Sequence, residues 1–381
     1  MGKNSKNSKN SNKTVSFDDK LPYVSVCTPT FNRRPFIPIM FECFNNQTYP
    51  KSKMEWIIVD DGTDKIEDLV KSCGISNIKY VSLPKKITLG EKRNIMHKHA
   101  KGSIIVYMDD DDYYPPERVE HAVQKLLDNP TALCAGSSEM YIYFKHIDKM
   151  YQSGPFGPNH ATAATFAFRS ELLKQTQYED AAALAEERAF LKEYTIPFVQ
   201  LDPMKTILVF SHNHNSFDKK KLLEYGESPV LKQSDKTVDM FIREPFETSI
   251  KNFFMRDIEL LLKNYAPGDP INKPDVIIQT AEIEKKRKEM NDESGYIMLQ
   301  QPGKEPVKLA LPDIVNILQQ QQTHIQNLTD TLQKLENRNK DLEEQLRLME
   351  MLVSVSGGKK EDISVRMSPK NKSDPEVYVS I

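Results

Sequence analysis

Residues 102–119 read GSIIVYMDDDDYYPPERV. Ile104–Met108 is a short uninterrupted apolar run, with the length and β-branched content of a strand buried on both faces. Pro115 and Pro116 open the amphipathic stretch PPERVEHAVQKLL, where proline is tolerated because the first helical N–H groups lack partners anyway. Between strand and helix lie four consecutive aspartates, Asp109 to Asp112. Two carboxylates 4 Å apart repel by about 4 kcal/mol at an effective dielectric of 20, so a cluster that is not fully solvated calls for a cation. Hard oxygen donors suit Mg²⁺ or Mn²⁺, and a site with one or two carboxylates leaves positions for substrate phosphates. Taken alone, the run reads equally as a solvated acidic turn. The neighbouring strand ends tip the balance.

Outward from this strand the pattern alternates. YVSVCTPT, MEWIIVDD and NIKYVSL read as strands, while FNRRPFIPIMFECFNNQ, DKIEDLVKSC and GEKRNIMHKHA carry apolar residues at helical spacing. Strands alternating with helices at this interval predict an α/β domain, with a mostly parallel sheet covered on both faces. After about Thr131 the pattern changes: LCAGSSEMYIYF reads as β, AAALAEERAFLKEY as a helix, and MKTILVFSHNHNS as a strand entering a polar loop. The expected organisation is a Lys/Asn/Ser-rich disordered start over residues 1–20 and an α/β domain over 21–218. A helical extension over 219–265 and a Pro, Lys and Glu-rich linker over 266–310 follow.

The next element carries the clearest periodicity. Leu311, Leu318, Ile325, Leu332, Asn339 and Leu346 recur every seven residues, and Ile314, Gln321, Leu328, Leu335, Leu342 and Met349 follow three positions later. These are the a and d positions of a coiled coil over 311–353, with Asn339 as a register-fixing polar a residue. A homo-oligomer, dimer or trimer, is expected through it. A long helix packed on the enzyme body is the alternative, and residues 354–381 read as a disordered tail.

Composition bounds the function. The chain has 381 residues, 39% hydrophobic and 28% charged, with a net charge of −2. That balance excludes the overall field that gathers nucleic acid or anionic membrane. No apolar run reaches the ~18 residues that cross a bilayer, and the start MGKNSKNSKNSNK has no hydrophobic signal region. Cys27, Cys43, Cys73 and Cys134 show no C-x-x-C and read as reduced thiols. A cytoplasmic protein is expected, in the host cytoplasm if the Lys-rich, Asn-rich usage marks a viral genome.

Three further strand and helix ends carry polar chemistry. Thr28-Pro29-Thr30-Phe31-Asn32, followed by Arg33, ends the first strand, and Asp60-Asp61-Gly62 ends the second. Gly90-Glu91-Lys92-Arg93-Asn94 opens the helix before the acidic strand. An aromatic face, a carboxylate to accept from a base N–H and cations for a diphosphate are what a nucleotide-sugar site requires. In open α/β sheets such ligands bind beyond the carboxyl ends of the strands.

VSVCTPTFNR, IIVDDGTD, LGEKRN and IIVYMDDDDYYPPERV resemble the successive motifs of family 2 glycosyltransferases of GT-A fold, over roughly Pro22–Asp218. The resemblance implies that Pro29 and Phe31 line the base pocket, with Thr30, Arg33, Asp60, Gly90 and Lys92 among the donor contacts. It implies that Asp61 meets a uracil-like edge and that Arg93 supports base or diphosphate. Asp109 would lie near the ribose and Asp111 would hold Mn²⁺ or Mg²⁺, with Asp110 and Asp112 able to exchange roles because the run of four leaves the register open by one.

An inverting sugar transfer also needs a carboxylate to take the acceptor hydroxyl proton. Glu186 and Glu187 are candidates, since neither has a Lys or Arg three or four positions away to pair with on a helix surface. The resemblance aligns Glu187 with the base and Glu186 as second choice. It also puts Asn159 and His160 on the acceptor side, and makes His212, in His212-Asn213-His214-Asn215-Ser216, a metal ligand. The reading is a metal-dependent transferase moving a sugar from a nucleotide-sugar, a UDP-sugar by this resemblance, to a glycan, lipid or protein acceptor. One rival is a nucleotidyltransferase of similar fold, disfavoured because the first strand end has no Gly-rich phosphate loop. Another is a catalytically idle coiled-coil assembly protein.

Overall fold

Period-two alternation sorts the strand residues of this protein onto two buried faces. In β1 (Val24–Thr30), Val24 and Val26 join one core while Cys27 joins the other. After α1 (Ile37–Asn45), β2 (Met54–Asp60) puts Trp56 and Ile58 in the first core and Ile57 and Val59 in the second. A strand buried on both sides belongs at the centre of a sheet between helical layers. The computed structural model describes residues 20–184, 187–224, 226, 228–293, 297–299, 307–309 and 311–355.

The helices that cover these faces carry their own signals. Past α2 (Glu67–Ser72) and β3 (Ile78–Ser82), α3 (Leu89–His99) starts at Thr88, whose hydroxyl accepts from Glu91 N, and ends on His97, Lys98 and His99. That is a Thr-x-x-Glu start with basic residues at the negative end of the helix dipole. Met96 of α3 packs into the second core. β4 (Ile104–Tyr107) leads through the four aspartates to α4 (Arg118–Asp128), which buries Val119, Ala122, Val123 and Leu126 in the first core. There α1 supplies Phe44, stacked on Trp56 at 4.5 Å between centroids.

The remaining strands are β5 (Cys134–Gly136), β6 (Met140–Phe144), β7 (Lys149–Ser153) and β8 (Ala167–Arg169). Beyond α5 (Glu187–Phe190) come β9 (Phe198–Gln200), β10 (Leu208–Ser211) and β11 (Leu231–Gln233). The main sheet has seven strands in the order β3-β2-β1-β4-β8-β5-β9. Its β3, β2, β1 and β4 are parallel, β8 runs antiparallel to its neighbours β4 and β5, and β9 is parallel to β5. The expected mostly parallel α/β sheet is thus present. A second, four-stranded sheet, β10-β6-β7-β11, lies beyond the acidic turn, and Tyr113 bridges to Leu208 of β10.

The sequence-based organisation differs from the observed one in two places. The boundaries expected at 218 and 265 fall inside one compact unit that continues to Glu293. α6 (Thr248–Asn252) and α7 (Ile258–Lys263), joined by a π-helical turn over Phe253–Asp257, bury Ile250, Phe253, Phe254 and Leu262 in the first core. The segment read as a linker holds short turns at Ala266–Gly268 and Pro270–Asn272 and then α8 (Pro274–Glu293). Separately, AAALAEERAFLKEY is helical only at Glu187–Phe190 among the described residues, and Lys192, Glu193 and Tyr194 take left-handed φ values of 48°, 56° and 61°.

The second unit, from Ser294, contains paired strands at Ile297–Leu299 and Val307–Leu309 and the 45-residue α9 (Leu311–Val355). The Lys/Asn/Ser-rich start and the chain beyond residue 355 lie outside the described residues. No helix among the described residues is long and apolar enough to cross a membrane.

Candidate active site

The register of the central strands brings three motif ends together. Thr30 pairs with Asp60, and Cys27 pairs with Tyr107, so β1, β2 and β4 finish at the same edge. Thr28 Oγ1 donates to Met108 O at 2.6 Å, tying the first strand to the residue before the aspartates. The turn is held from behind: Asp109 N donates to Tyr114 Oη at 2.7 Å, and buried Arg118 donates to the carbonyls of Tyr107, Thr165 and Phe166.

Each of Asp109, Asp110 and Asp111 meets a cation. Arg93 lies 3.6 Å from Asp109, and Arg33 lies 3.6 Å from Asp110 and 3.3 Å from Asp111. His212 Nε2, at the end of β10, lies 3.5 Å from Asp111 Oδ2. Burial pushes Asp110 up to about 7, against the opposing charge of Arg33. Burial pushes Asp111 the same way, but its hydrogen bond with His212 and the Arg33 charge outweigh it and hold that carboxyl well below the usual range. Burial, reinforced by the Asp111 charge, raises Asp112 well above it. Burial also lowers His212 to about 4, so its imidazole is neutral near pH 7, with Nδ1 accepting from His214 N at 3.2 Å and the Nε2 proton directed at Asp111, where an ion would take its place.

Oxygen and nitrogen donors of this kind suit a hard divalent ion. Among the described residues no three His, Cys, Asp or Glu side chains converge as a ready-made cage. Asp111 and His212 supply an oxygen and a nitrogen side by side, and Asp112 Oδ1 is buried with no hydrogen-bond partner. An octahedral ion that keeps waters and takes phosphate oxygens needs one or two carboxylates from the protein.

At the end of β1, Phe31 is 7% exposed, with Lys86 5.3 Å and Lys92 5.9 Å from its ring centroid. Lys92 forms a close ion pair with Asp61 and donates to Thr30 O at 3.0 Å. Asp61 also accepts from Ile87 N at 2.8 Å. Arg93 stacks its guanidinium 4.3 Å over the Tyr107 ring. Two expected donor contacts are otherwise engaged. Asp60, 1% exposed, accepts from Gly62 N, Ile66 N and Tyr80 Oη, which makes it the organiser of the turn after β2. Gly90 is a packing glycine: a Cβ there would sit 2.1 Å from Glu179 O. Pro29 lies within buried β1, beside Thr30.

In the segment expected to face the acceptor, the His160 ring lies 4.9 Å from Phe156 and 5.1 Å from Tyr194. Gln200 fixes that loop by donating to Pro158 O and His160 O. Asn159 is exposed. Glu187 opens α5, and its charge, after burial, is the next cause of the raised Tyr194 hydroxyl. Tyr194 therefore links Glu187 and His160 in one neighbourhood. Glu186 lies outside the described residues.

A contribution that the sequence does not announce comes from Ala266–Lys273. Asn32 donates to Pro267 O at 2.8 Å and Arg33 to Gly268 O at 3.4 Å. Gly268 is required by this close approach, since a Cβ would stand 2.7 Å from His214 Nδ1 and 2.9 Å from Asn32 O. Lys273, 8% exposed, donates to Ser216 Oγ at 2.6 Å. No periodicity or motif marks these residues. Their partners are far away in sequence.

The sequence model described as "Glycosyl transferase family 2" matches residues 25–180, the stretch containing β1 to β4 and the acidic turn. Residues 25–180 are a family 2 glycosyltransferase domain. An uncharacterized glycosyltransferase of Haemophilus influenzae is 30% identical over 107 residues, 28% of this chain and 35% of that one. The poly(ribitol-phosphate) β-N-acetylglucosaminyltransferase TarS of Staphylococcus aureus is 32% identical over 101 residues, 26% of this chain and 18% of that one. The chain thus spans well under two thirds of these relatives. A crystal structure of TarS 1–349 with UDP-GlcNAc aligns at 22% identity and a TM-score of 0.41, over 50% of this chain and 58% of that one. The mannosyltransferase PcManGT of Pyrobaculum calidifontis, in complex with GDP-Man and Mn²⁺, aligns at 18% identity and a TM-score of 0.42, over 56% and 67%.

Proposed function

We propose that this protein transfers a sugar from a nucleotide-sugar, a UDP-sugar on the sequence resemblance, to an acceptor hydroxyl with inversion. The observation that carries the proposal is the meeting of Asp111 with His212 at 3.5 Å, on a rim that also collects Arg33, Lys92 and Arg93. A carboxylate, a neutral imidazole and several cations gathered at the ends of parallel strands suit a diphosphate with its metal.

Pro29, Thr30 and Phe31 would receive the base, with Asp61 directed at its polar edge by Lys92 and Ile87 N. Asp109, oriented by Arg93, would approach the ribose. Asp111, Asp112 and His212 would hold Mn²⁺ or Mg²⁺, which when bound supplies positive charge to a departing diphosphate. Arg33 and Arg93 would supply further positive charge to those phosphate oxygens. Glu187 would take the proton of the acceptor hydroxyl, and Asn159 and His160 would orient the acceptor, whether glycan, lipid or protein. The exposed apolar stripe of α9 supports assembly of two or three copies through a coiled coil. Leu318, Ile325, Leu332 and Leu346 are 58–62% exposed along it.

The test is hydrolysis of a panel of UDP-, GDP- and TDP-sugars with Mn²⁺, using the wild-type protein and Asp111→Asn. Turnover of one donor that the variant lacks is expected. A protein that turns over none and binds no nucleotide would leave the assembly role of α9 as the better account.

A further inference from the structure

We infer that Lys273 is a donor-binding residue that reaches the diphosphate from outside the family 2 domain, on a strap formed by Ala266–Lys273 and the start of α8. The inference rests on the nucleotide-sugar reading above and adds a residue to that site.

The strap is anchored on both sides of the acidic turn. Asn32 and Arg33, just past β1, hold the carbonyls of Pro267 and Gly268. Asp269 caps the next turn by accepting from Ile271 N at 2.9 Å, and Lys273 N donates to Pro270 O at 2.9 Å. Lys86, beside Phe31, pairs with Asp275 at the start of α8. One turn further on, Gln279 accepts from Ala183 N at 2.9 Å and donates to Ala181 O at 2.7 Å. Lys273 is therefore aimed by a built structure.

Its ammonium sits among the groups a diphosphate would meet. It is 5.9 Å from the Phe31 ring centroid and hydrogen-bonded to Ser216, at the end of the His212–Ser216 turn. Burial, then the Arg33 charge, lower it to about 7 against the attraction of Asp110 and Asp111. Of Arg33, Lys92, Arg93 and Lys273, the first three have a carboxylate within 4.0 Å, and Lys273 has none among the described residues. An ammonium has three donor hydrogens, and Ser216 takes one. A buried cation without a carboxylate partner is costly by itself and favourable once phosphate oxygens reach it. The strap would then close best over an occupied site.

The test is calorimetric titration of UDP with Mn²⁺ present, with uridine followed by ligand-observed NMR, on the full chain as wild type, Lys273→Met and Lys273→Arg. GDP and guanosine run in parallel. Lys273→Met should weaken diphosphate binding roughly ten- to a hundredfold, the range of hydrogen bonds to charged groups, and leave nucleoside binding within about twofold. Lys273→Arg should recover part of the loss, and thermal melting should show all three proteins folded. Unchanged diphosphate affinity in Lys273→Met would overturn the inference alone, as would equal weakening of diphosphate and nucleoside. A wild-type protein that binds neither UDP nor GDP would overturn the donor reading and this inference together.

Discussion

His212 Nε2 stands 3.5 Å from Asp111 Oδ2, although one residue follows β10 of the smaller sheet and the other follows β4 of the main sheet. The link is made by Tyr113, whose backbone N–H and C=O both pair with Leu208. Two sheets are thus pinned together one residue beyond the aspartates, which brings the acidic turn against His212. Asp111→Asn and His212→Ala should each remove Mn²⁺-dependent UDP binding while leaving the melting temperature within a few degrees. Calorimetry with and without Mn²⁺ checks this, and binding that ignores both substitutions would refute the site.

Glu187→Gln should bind donor as the wild type does and lose sugar transfer by about 10²–10⁴-fold, the usual worth of a general base. Steady-state transfer assays beside UDP titrations separate the two effects. Should transfer survive, the base lies elsewhere, and Glu186→Gln becomes the next variant to assay.

His97 provides a prediction about acid stability. Burial first, then the Arg93 charge, push its imidazole from 6.5 down to about 3, and its Nε2 lies 2.6 Å from Tyr107 Oη. Folding lowers this pKa, so the stability that neutral His97 contributes is full above about 6.5 and is lost progressively as pH falls toward 3. His97→Phe removes that titration but leaves the Tyr107 hydroxyl without this partner. Urea midpoints should be lower in the variant at pH 7.5, and the wild type should lose more between pH 7.5 and 5. Equal losses in the two proteins would contradict the assignment.

Gly268→Val should dislodge the strap, because its Cβ would meet His214 and the Asn32 carbonyl at under 3 Å. Hydrogen exchange over residues 266–284 should quicken, with the β1–β4 amides unchanged. Exchange that stays slow throughout would mean that the backbone absorbs the added atoms elsewhere.

Deleting residues 311–355 should lower the mass measured by light scattering to that of a single chain. Leu328 and Leu335 are 50% and 56% exposed, and replacing both by Lys should do the same without shortening α9. A mass unmoved by either change would rule out assembly through this helix.

Much of this protein could be read along the chain. The alternation in VSVCTPT and the short apolar runs of MEWIIVDD and IIVYM, broken by helical stretches, determined a parallel sheet with helices on both faces, because a strand buried on both sides needs apolar residues on both. The heptads of α9 were legible too. The aspartates, Phe31, Lys92 and Arg93 were legible because each ends or opens a regular element, and chain order alone puts those ends on one rim. Tertiary structure decided what those residues touch. Asp60 and Asp61 are adjacent in sequence, yet one is consumed by Tyr80 and its own turn while the other, just past the end of β2, pairs with Lys92. AAALAEERAFLKEY reads as one helix, but the helix stops at Phe190, which stacks on Tyr178 at 4.3 Å, and the chain then turns left-handed. Lys273 was invisible in a segment that reads as linker. Its place depends on contacts with Ser216 and on Asn32 and Arg33 gripping the turn before it, and contacts between distant segments have no period to detect.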